Sequence, residues 1–261
     1  MIKTKVIGRV FRQDEIADQI YDMWIETELA QGARPGQFVC VYTKNAAALL
    51  PRPISICEVN EEKTMLRLVY RTVGTGTNEF AAYHAGTEIS LLGPLGNGFP
   101  VKKAAGKRVF LIGGGIGIPP MLQLSKEIKK AGQAYCELSV LGYRNELFLN
   151  TDLEKYSQVY VATEDGSAGT KGTVLDAIKE KGLSGDVIFA CGPMPMLRAV
   201  KEYAAANNME AYISLEEHMA CGVGACLGCV CKTKNVDAHS HVHNSRICTD
   251  GPVYNAEEVE I

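Results

Sequence analysis

Short apolar runs separated by turn residues fill the first part of the chain, from residue 1 to about residue 100. The runs are rich in Val, Ile, Leu, Tyr and Phe, a composition typical of β-strands. A single helical stretch, at 77–84, interrupts them. Several short strands at such spacing indicate a small antiparallel β-barrel. The pattern predicts six strands, at 5–11, 19–27, 37–43, 53–59, 64–71 and 88–92.

The pattern changes between about residue 101 and residue 212, where strand-like apolar runs alternate with helical stretches. This βα alternation predicts a parallel, doubly wound sheet. Strands are predicted at 107–112, 136–141, 158–162, 187–190 and 211–215, and helices at 121–131, 174–181 and 194–207. A small C-terminal segment, 213–261, follows. The fold class expected is therefore α+β with several domains: an antiparallel barrel, an α/β domain and a C-terminal appendage.

Composition and charge narrow the class of protein. A length of 261 residues leaves room for two domains and an appendage. The 27 basic and 30 acidic residues nearly balance, so no electrostatic case for nucleic acid arises. The first residues lack the apolar core of a signal peptide. The most apolar later run, 109–122, is broken by four glycines and two prolines, so we expect no membrane span and a cytoplasmic protein.

Four of the nine cysteines follow the pattern C-x4-C-x2-C…C, the spacing by which plant-type ferredoxins hold a [2Fe–2S] cluster. Gly222, Gly224 and Gly228 lie between them and permit the tight backbone curl that converging thiolates require. Structural zinc also uses four cysteines, usually as two C-x2-C pairs, and remains an alternative, as do redox thiols. A disulfide framework would need an oxidising compartment, which nothing in the chain indicates. The predicted ligands are Cys221, Cys226, Cys229 and Cys248.

Other thiols and histidines surround this pattern. Cys231 lies two residues past the third ligand and is predicted to be a bystander, because the pattern is complete without it. His239, His241 and His243 alternate in the loop before Cys248. Alternating histidines can bind metal, but an exposed polar loop is the interpretation we prefer, because no further ligands lie nearby in sequence. Three cysteines in apolar strands are expected to be small core residues: Cys40, Cys57 and Cys136.

Two glycine-containing turns end strands of the predicted parallel sheet and open helices. Free amides at a helix N-terminus favour anions. The first turn lacks the third glycine of G-x-G-x-x-G, because Ile118 and Pro119 stand there, and alone it is equally compatible with a tight turn. Two such turns on one sheet, however, meet at one crevice and predict a dinucleotide site. The candidate residues are Gly113, Gly114, Gly115, Gly117, Cys191, Gly192 and Pro193.

Several polar positions near these turns have two interpretations. Cys191 either lies beside a nicotinamide or packs at a strand end. The turn 163–167 either contacts the same ligand or is an ordinary polar turn. In the barrel, Arg52 could pair with a phosphate through its planar guanidinium, and 74–77 could cradle another. Each position alone is also compatible with ordinary turns and strand ends.

Three features stand in a fixed order along the chain: RPIS, VYR and GTGT; then GGGIGIPP and CGPMPM; then the cysteine pattern. Together they resemble the ferredoxin-reductase superfamily, in which a flavin-binding barrel precedes a pyridine-nucleotide domain. The junction 93–99 is also similar to that superfamily. The segment 217–231 closely resembles the electron-transfer subunits of bacterial class B dihydroorotate dehydrogenase. The likeness covers essentially the whole chain.

This resemblance implies cofactors and domain roles. Residues 1–100 would form the FAD-binding barrel, 101–212 the NAD-binding domain and 213–261 the [2Fe–2S] domain, with the four cysteines as cluster ligands. An NADP 2′-phosphate needs cations, and the one candidate after the second strand of the sheet, Arg144, does not decide between the two nucleotides. NAD(H) is expected from the resemblance. The implied FAD contacts are Arg52, Pro53, Ile54, Ser55, Val69, Tyr70, Arg71, Gly76 and Thr77.

The resemblance also implies a function and a partner. Electrons would pass from an FMN-containing dihydroorotate dehydrogenase catalytic subunit through the cluster and FAD to NAD⁺, in de novo pyrimidine (UMP) biosynthesis. The expected assembly is a heterotetramer with two copies of each subunit, and no residue of this chain is predicted to act on dihydroorotate. Relatives with similar domains serve hydrogenases, sulfite reductases and ferredoxin-dependent transhydrogenases, which is the alternative function.

Overall fold

A closed barrel of six antiparallel strands forms the N-terminal part of the computed structural model, which describes residues 5–237 and 241–261. The strand order around the barrel is β1-β2-β5-β4-β3-β6, and α1 (Thr75–Ala81) lies between β5 and β6. The predicted barrel is confirmed. The strands are β1 (Lys5–Ala17), β2 (Ile20–Glu26), β3 (Phe38–Tyr42), β4 (Arg52–Val59), β5 (Met65–Arg71) and β6 (Glu88–Leu95).

Strand β1 continues six residues beyond its predicted end at residue 11, to Ala17. Its second half is polar, and the register of pairing with β2 shifts between Val10 and Arg12 and again between Glu15 and Ala17. Such irregularities break the strict alternation on which sequence-based strand prediction depends. The helix α1, predicted at 77–84, begins and ends earlier in the structure.

A seven-stranded sheet follows the barrel, in the order β10-β9-β8-β7-β11-β12-β15. All its neighbours pair in parallel except β12 and β15, so the doubly wound sheet is confirmed. The strands are β7 (Arg108–Gly114), β8 (Cys136–Tyr143), β9 (Gln158–Thr163), β10 (Thr170–Lys171), β11 (Val187–Cys191), β12 (Glu210–Ser214) and β15 (Val253–Asn255). The helices are α2 (Pro119–Ala131), α3 (Asn150–Leu153), α4 (Val174–Glu180) and α5 (Met194–Ala206).

The sheet is buried on both faces, because helices pack on each side of it. Phe110 and Ile112 of β7 contribute to one apolar core, whereas Val109 and Leu111 contribute to the other. The chain order reverses beside β7, whose neighbours are β8 on one side and β11 on the other. A crevice therefore opens at the carboxyl ends of β7 and β11, where doubly wound sheets bind ligands.

The C-terminal segment leaves this sheet and returns to it. It departs after β12, forms a two-stranded ribbon of β13 (Val230–Lys232) and β14 (Asn244–Arg246), and re-enters as β15, antiparallel to β12. The predicted cluster ligands thus lie between two neighbouring strands of one sheet. Within the described ranges, no helix is both long enough and apolar enough to cross a membrane.

The barrel and the sheet meet at a buried group of charges. Arg67 of β5, only 8% exposed, pairs with Asp22 at 2.9 Å and Glu58 at 3.1 Å within the barrel. It also pairs with Asp152 of α3 at 3.0 Å, across the boundary. Lys126 of α2 reaches back to Glu58 at 3.1 Å. Because buried charges require their partners, these contacts define how the barrel sits on the sheet.

Candidate functional site

The loop 221–229 curls around its own thiols. The backbone amides of Val223, Ala225 and Cys226 donate to Cys221 Sγ at 3.4, 3.3 and 3.4 Å. The amide of Gly228 donates to Cys226 Sγ at 3.4 Å. Amides aimed at thiolate sulfur stabilise its negative charge and tune the potential of an iron–sulfur cluster.

The curl depends on backbone conformations that glycine adopts easily. Gly222 and Gly224 have φ values of +69° and +82°, in the left-handed region that other residues avoid. Leu227 also has a positive φ, of 55°, between the second and third predicted ligands. A non-glycine residue in this region carries strain that persists where the surrounding structure requires it.

The four predicted ligand thiols lie as two pairs. Cys226 lies close enough to Cys221 to lower the pKa of its thiol, and Cys229 lies close enough to Cys248 to raise the pKa of its thiol. A [2Fe–2S] cluster is held by four cysteine thiolates, two on each iron, so a paired arrangement suits it. Across 5–237 and 241–261, no three His, Cys, Asp or Glu side chains converge as ligands of one metal ion. The C-x4-C-x2-C…C spacing of these thiols is what favours a two-iron cluster over a single zinc ion.

The thiols of the two pairs differ in acidity. Burial raises the pKa of Cys221, but the amides of the loop outweigh it and lower that pKa to about 6. At neutral pH this thiol is therefore mostly the thiolate that metals bind. Burial and the neighbouring Cys229 thiol raise the pKa of Cys248 to about 12.

The other thiol and the histidines of this region have partners of their own. Cys231 lies on β13, where burial raises the pKa of its thiol and the neighbouring Tyr254 hydroxyl acts to lower it. His243 Nδ1 lies 2.9 Å from the carbonyl oxygen of Lys234. His239 lies outside the described residues. The bystander role of Cys231 stays a prediction.

The two glycine turns press against each other at the carboxyl ends of β7 and β11. Gly113 is paired with Cys191 in the sheet register. A Cβ on Gly117 would stand 2.3 Å from the Cys191 carbonyl oxygen, and one on Gly114 would stand 2.6 Å from Met196 Sδ. Only glycine fits at position 117, where the clash is with backbone, whereas at 114 the end of the Met196 side chain would have to move.

The helices α2 and α5 begin directly after these turns, so their N-termini meet at one edge. Two such ends form a favourable site for a pyrophosphate. The structure thus brings together all seven candidate nucleotide residues, whose contacts with NAD stay a prediction.

The side chain of Cys191 is packed in the core rather than exposed in the crevice. Its exposure is 1%, and burial, together with the charge of Glu216, raises the pKa of its thiol above the usual range. The polar turn beyond β9 is closed by its own hydrogen bonds, since Thr163 Oγ1 donates to the Ala168 carbonyl at 2.8 Å. In the same turn, Asp165 Oδ1 accepts from the amide and hydroxyl of Ser167.

The predicted flavin residues lie on one side of the barrel. The Arg52 side chain crosses α1, so that a Cβ on Gly76 would stand 2.2 Å from Arg52 Nε. Thr77 Oγ1 accepts from the amide of Val73 at 2.9 Å and fixes the turn before α1. Val69 packs outward, against the core shared with the sheet. FAD contacts at these positions stay a prediction.

Two of the flavin candidates, Ile54 and Tyr70, turn their side chains into the barrel core. Tyr70 is 3% exposed, stacks on Tyr21 with ring centroids 5.9 Å apart, and donates to Gln13 Oε1 at 2.8 Å. Pro53 and Ser55, in contrast, lie opposite outward-facing residues of β3. The cleft between barrel and sheet is therefore lined by the side chains of alternate residues of β4 and β5. At Tyr70, only the backbone faces this cleft.

Two positioning residues carry no sequence signal that would have revealed them. Gln13 Nε2 donates to three carbonyl oxygens just after or within α1, at 2.9 to 3.1 Å. Asn97 Nδ2 donates to the carbonyls of Asp250 and Val253, at 2.8 and 3.0 Å. The partners of Asn97 lie more than 150 positions away in sequence, which local patterns cannot indicate.

Two family models match the chain in the regions just described. The iron–sulfur cluster binding domain of dihydroorotate dehydrogenase B matches residues 216–260. The oxidoreductase NAD-binding domain matches residues 111–202. The first match contains the four paired cysteines, and the second contains both glycine turns.

Full-length relatives are also similar. The dihydroorotate dehydrogenase B (NAD(+)) electron transfer subunit of Bacillus velezensis is 44% identical over 252 residues, which are 95% of each chain. The subunit of the same name from Listeria monocytogenes is 40% identical over 262 residues, covering all of both chains.

Solved structures share the fold. The structure of an NADH-dependent reduced ferredoxin–NADP oxidoreductase, studied for flavin-based electron bifurcation, matches with a TM-score of 0.86 and 28% identity, over 98% of this chain and 90% of that one. A ferredoxin NADP⁺ reductase from Neisseria gonorrhoeae with bound FAD and NADP matches with a TM-score of 0.66 and 16% identity, over 78% of this chain and 91% of that one. At that identity the likeness concerns the fold alone.

Proposed function

The chain belongs to the family of electron-transfer subunits of dihydroorotate dehydrogenase B, and on that basis we propose that it carries electrons from an FMN-containing catalytic subunit to NAD⁺. Its cofactors are FAD, a [2Fe–2S] cluster and NAD. The catalytic subunit oxidises dihydroorotate to orotate in pyrimidine biosynthesis. The sequence-based resemblance to this family is confirmed.

The observation that carries this proposal is the loop 221–229, whose amides point at ligand thiols, on the same sheet as the two glycine turns. A flavin exchanges electrons in pairs with nicotinamide and singly with an iron–sulfur cluster. The chain's own part in this conversion is positional. Its barrel, turns and cluster loop would hold the three groups in fixed positions relative to one another.

The face around the cluster loop supports docking of the catalytic subunit. Val223 and Leu227, between the ligands, are 41% and 53% exposed, and Val230 is 37% exposed. Exposed apolar residues grouped at a functional loop mark protein–protein contacts. Met219, in contrast, packs against the core. We propose that this face binds the FMN subunit, in an assembly with two copies of each chain.

The test is to separate the two halves of the activity. Dihydroorotate oxidation needs a substrate pocket, a base and a flavin beside them, whereas the recognisable segments of this chain are assigned to FAD, nucleotide and cluster. The purified chain is expected to hold FAD and iron–sulfur, to reduce an artificial dye with NADH more efficiently than with NADPH, and to leave dihydroorotate untouched. Adding the FMN subunit is expected to restore dihydroorotate:NAD⁺ activity and to give a stable hetero-oligomer. Dihydroorotate turnover by the chain alone would refute the division of labour.

One observation favours a second candidate function. The structure of the NADH-dependent reduced ferredoxin–NADP oxidoreductase matches 98% of this chain at 28% identity. A subunit of a ferredoxin-linked reductase would use the same three cofactor sites. Tight binding of reduced ferredoxin or of hydrogenase or sulfite reductase components, with no binding of an FMN dihydroorotate dehydrogenase subunit, would decide for this candidate.

A further inference from the structure

The cluster loop touches the barrel at a glycine. Gly222, the residue after the ligand Cys221, lies against β3 and β6 with a φ of +69°. A Cβ at Gly222 would stand 2.8 Å from Cys40 Sγ and 3.2 Å from Leu95 Cδ1. A carbon and a sulfur atom that are not bonded cannot approach so closely without displacement. Only glycine therefore lets the loop lie this near the barrel.

Cys40 connects this contact to the predicted flavin side of the barrel. Val39 and Val41 point into the barrel core, whereas Cys40 points outward and belongs to the apolar core that contains the ligands Cys229 and Cys248. Directly opposite Cys40, on β4, is Pro53. Residues opposite each other in an antiparallel pair share one face of the sheet. Cys40 thus lies between the cluster loop and a strand that carries predicted FAD contacts.

A second contact attaches the other half of the cluster segment to the end of β6. Asn97 donates to the carbonyls of Asp250 and Val253, and its Oδ1 accepts from the amide of Val253 at 3.1 Å. Gly96 is packed so closely that a Cβ would stand 2.6 Å from Pro252 Cδ. The cluster segment is therefore held on the barrel at two places: within the loop, at Gly222, and beyond the last ligand, at 250–253.

We propose that the contact of Gly222 with Cys40 fixes the spacing between cluster and flavin, and thereby sets the rate at which single electrons pass between them. This inference rests on the proposed function. With both groups bound, each passage would oxidise the cluster by one electron and reduce the flavin by one. Two passages supply the electron pair that reduces NAD⁺, with one proton taken from solvent. Gly222 and Cys40 are positioning residues, since neither is a ligand.

The test uses the purified chain loaded with FAD and cluster, mixed anaerobically with NADH in a stopped-flow spectrometer. In Gly222→Ala, we expect flavin bleaching at the wild-type rate and cluster bleaching slowed several-fold, because the rate of electron tunnelling falls as the gap between donor and acceptor widens. Iron and flavin content are expected to stay at wild-type values. Hydrogen exchange of residues 219–229 is expected to be faster, which reports the displaced loop independently of activity.

Gly224→Ala is the matched control. Gly224 lies in the same loop with a φ of +82°, but its Cβ would meet Thr249, within the cluster segment, rather than the barrel. Its cluster phase, per cluster bound, is expected to stay within twofold of the wild type. In the double variant Gly222→Ala with Cys40→Ala, the sulfur that the new Cβ would strike is absent. We expect this variant to recover most of the lost rate.

Two outcomes overturn the inference. One is a wild-type cluster phase in a fully loaded Gly222→Ala protein, and the other is an equal slowing in Gly224→Ala. If Gly222→Ala fails to retain the cluster, Cys40→Leu serves instead, because the larger side chain displaces the loop from the barrel side and leaves the loop sequence unchanged. A wild-type rate of cluster bleaching in Cys40→Leu overturns the inference as well. A wild-type chain that binds neither FAD nor cluster would refute the proposed function itself. The identity of the catalytic subunit does not enter this measurement.

Discussion

Backbone amides, rather than charged side chains, surround the first ligand thiol. Three of them point at Cys221 Sγ within 3.4 Å. Removal of a ligand sulfur should therefore be more damaging than removal of any other thiol nearby. Hard hydroxyl oxygen is a poor ligand for iron–sulfur iron.

A serine pair tests this assignment. Cys229→Ser is expected to abolish the cluster or reduce its occupancy severely, whereas Cys231→Ser is expected to leave iron content and visible absorbance at wild-type values. The two residues differ because Cys229 lies beside Cys248, whereas Cys231 lies on β13 beside Tyr254. If Cys231→Ser lost the visible absorbance of the cluster while Cys229→Ser kept it, the ligand set would be wrong.

Individual site residues were predictable from the sequence where the residues that act together are close together along the chain. The cysteine spacing and the glycines between the ligands stand within nine positions, so the sequence indicates the cluster loop directly. Gly117 packs against Cys191, which lies 74 positions further along the chain. The sequence indicates only that both turns contain glycine. The inward turn of the Tyr70 ring could not be read from the motif, because it depends on the position of β5 in the closed barrel.

At the scale of elements, the contact of α2 with β8 contains a partly buried acid outside the candidate site. Burial raises the pKa of Glu137 from 4.5 to about 7, although Ser125, whose Oγ lies 3.2 Å from the carboxylate, and Lys129 act to lower it. The folded protein therefore holds this proton more tightly than the unfolded chain. Stability is lost as the pH rises from about 4.5 to about 7, and it stays lost at higher pH.

Thermal or urea unfolding at pH 5 and pH 8 measures this loss. In Glu137→Gln, the difference in unfolding free energy between the two pH values is expected to shrink by about 2 kcal/mol, since a pKa shift of one unit corresponds to roughly 1.4 kcal/mol. Ser125→Ala removes a hydrogen bond that favours the carboxylate, so it is expected to enlarge the difference. An unchanged difference in Glu137→Gln would contradict the assignment.

Elements with several turns of helix or five or more apolar strand positions were predicted within a few residues. The failures are short or irregular elements. β10 has two residues and β15 has three, too few to show a period, and both exist because a neighbouring strand offers its edge. Tertiary pairing forms such strands, so sequence periodicity cannot reveal them.

At the scale of the whole molecule, the buried charges around Arg67 join the barrel to the sheet. In Arg67→Met, the Asp22 carboxylate would remain unpaired at 3% exposure. Such a change is expected to cost about 3–5 kcal/mol of unfolding free energy, whereas Arg67→Met combined with Asp22→Leu should cost much less. Urea unfolding of the cofactor-loaded protein measures both.

The control for this prediction is an exposed ion pair. Lys181 pairs with Glu180 at 2.8 Å, and both side chains are about half exposed. Lys181→Met is expected to cost under about 1 kcal/mol. A cost for Arg67→Met as small as that of Lys181→Met would mean that the buried charges do not hold the two domains together.

The return of the chain as β15 has a consequence for the order in which parts of the protein can fold during synthesis. β15 pairs with β12, and the amide of Leu215 donates to the Pro252 carbonyl at 2.9 Å beside that pair. All four ligand cysteines precede β15 in sequence, so they leave the ribosome before the strand that closes this edge. Domains fold as units, N-terminal first, during synthesis. The barrel and the strands β7 to β12 can therefore assemble on the nascent chain, whereas the edge of the sheet beside the cluster loop can close only after β15 has left the ribosome.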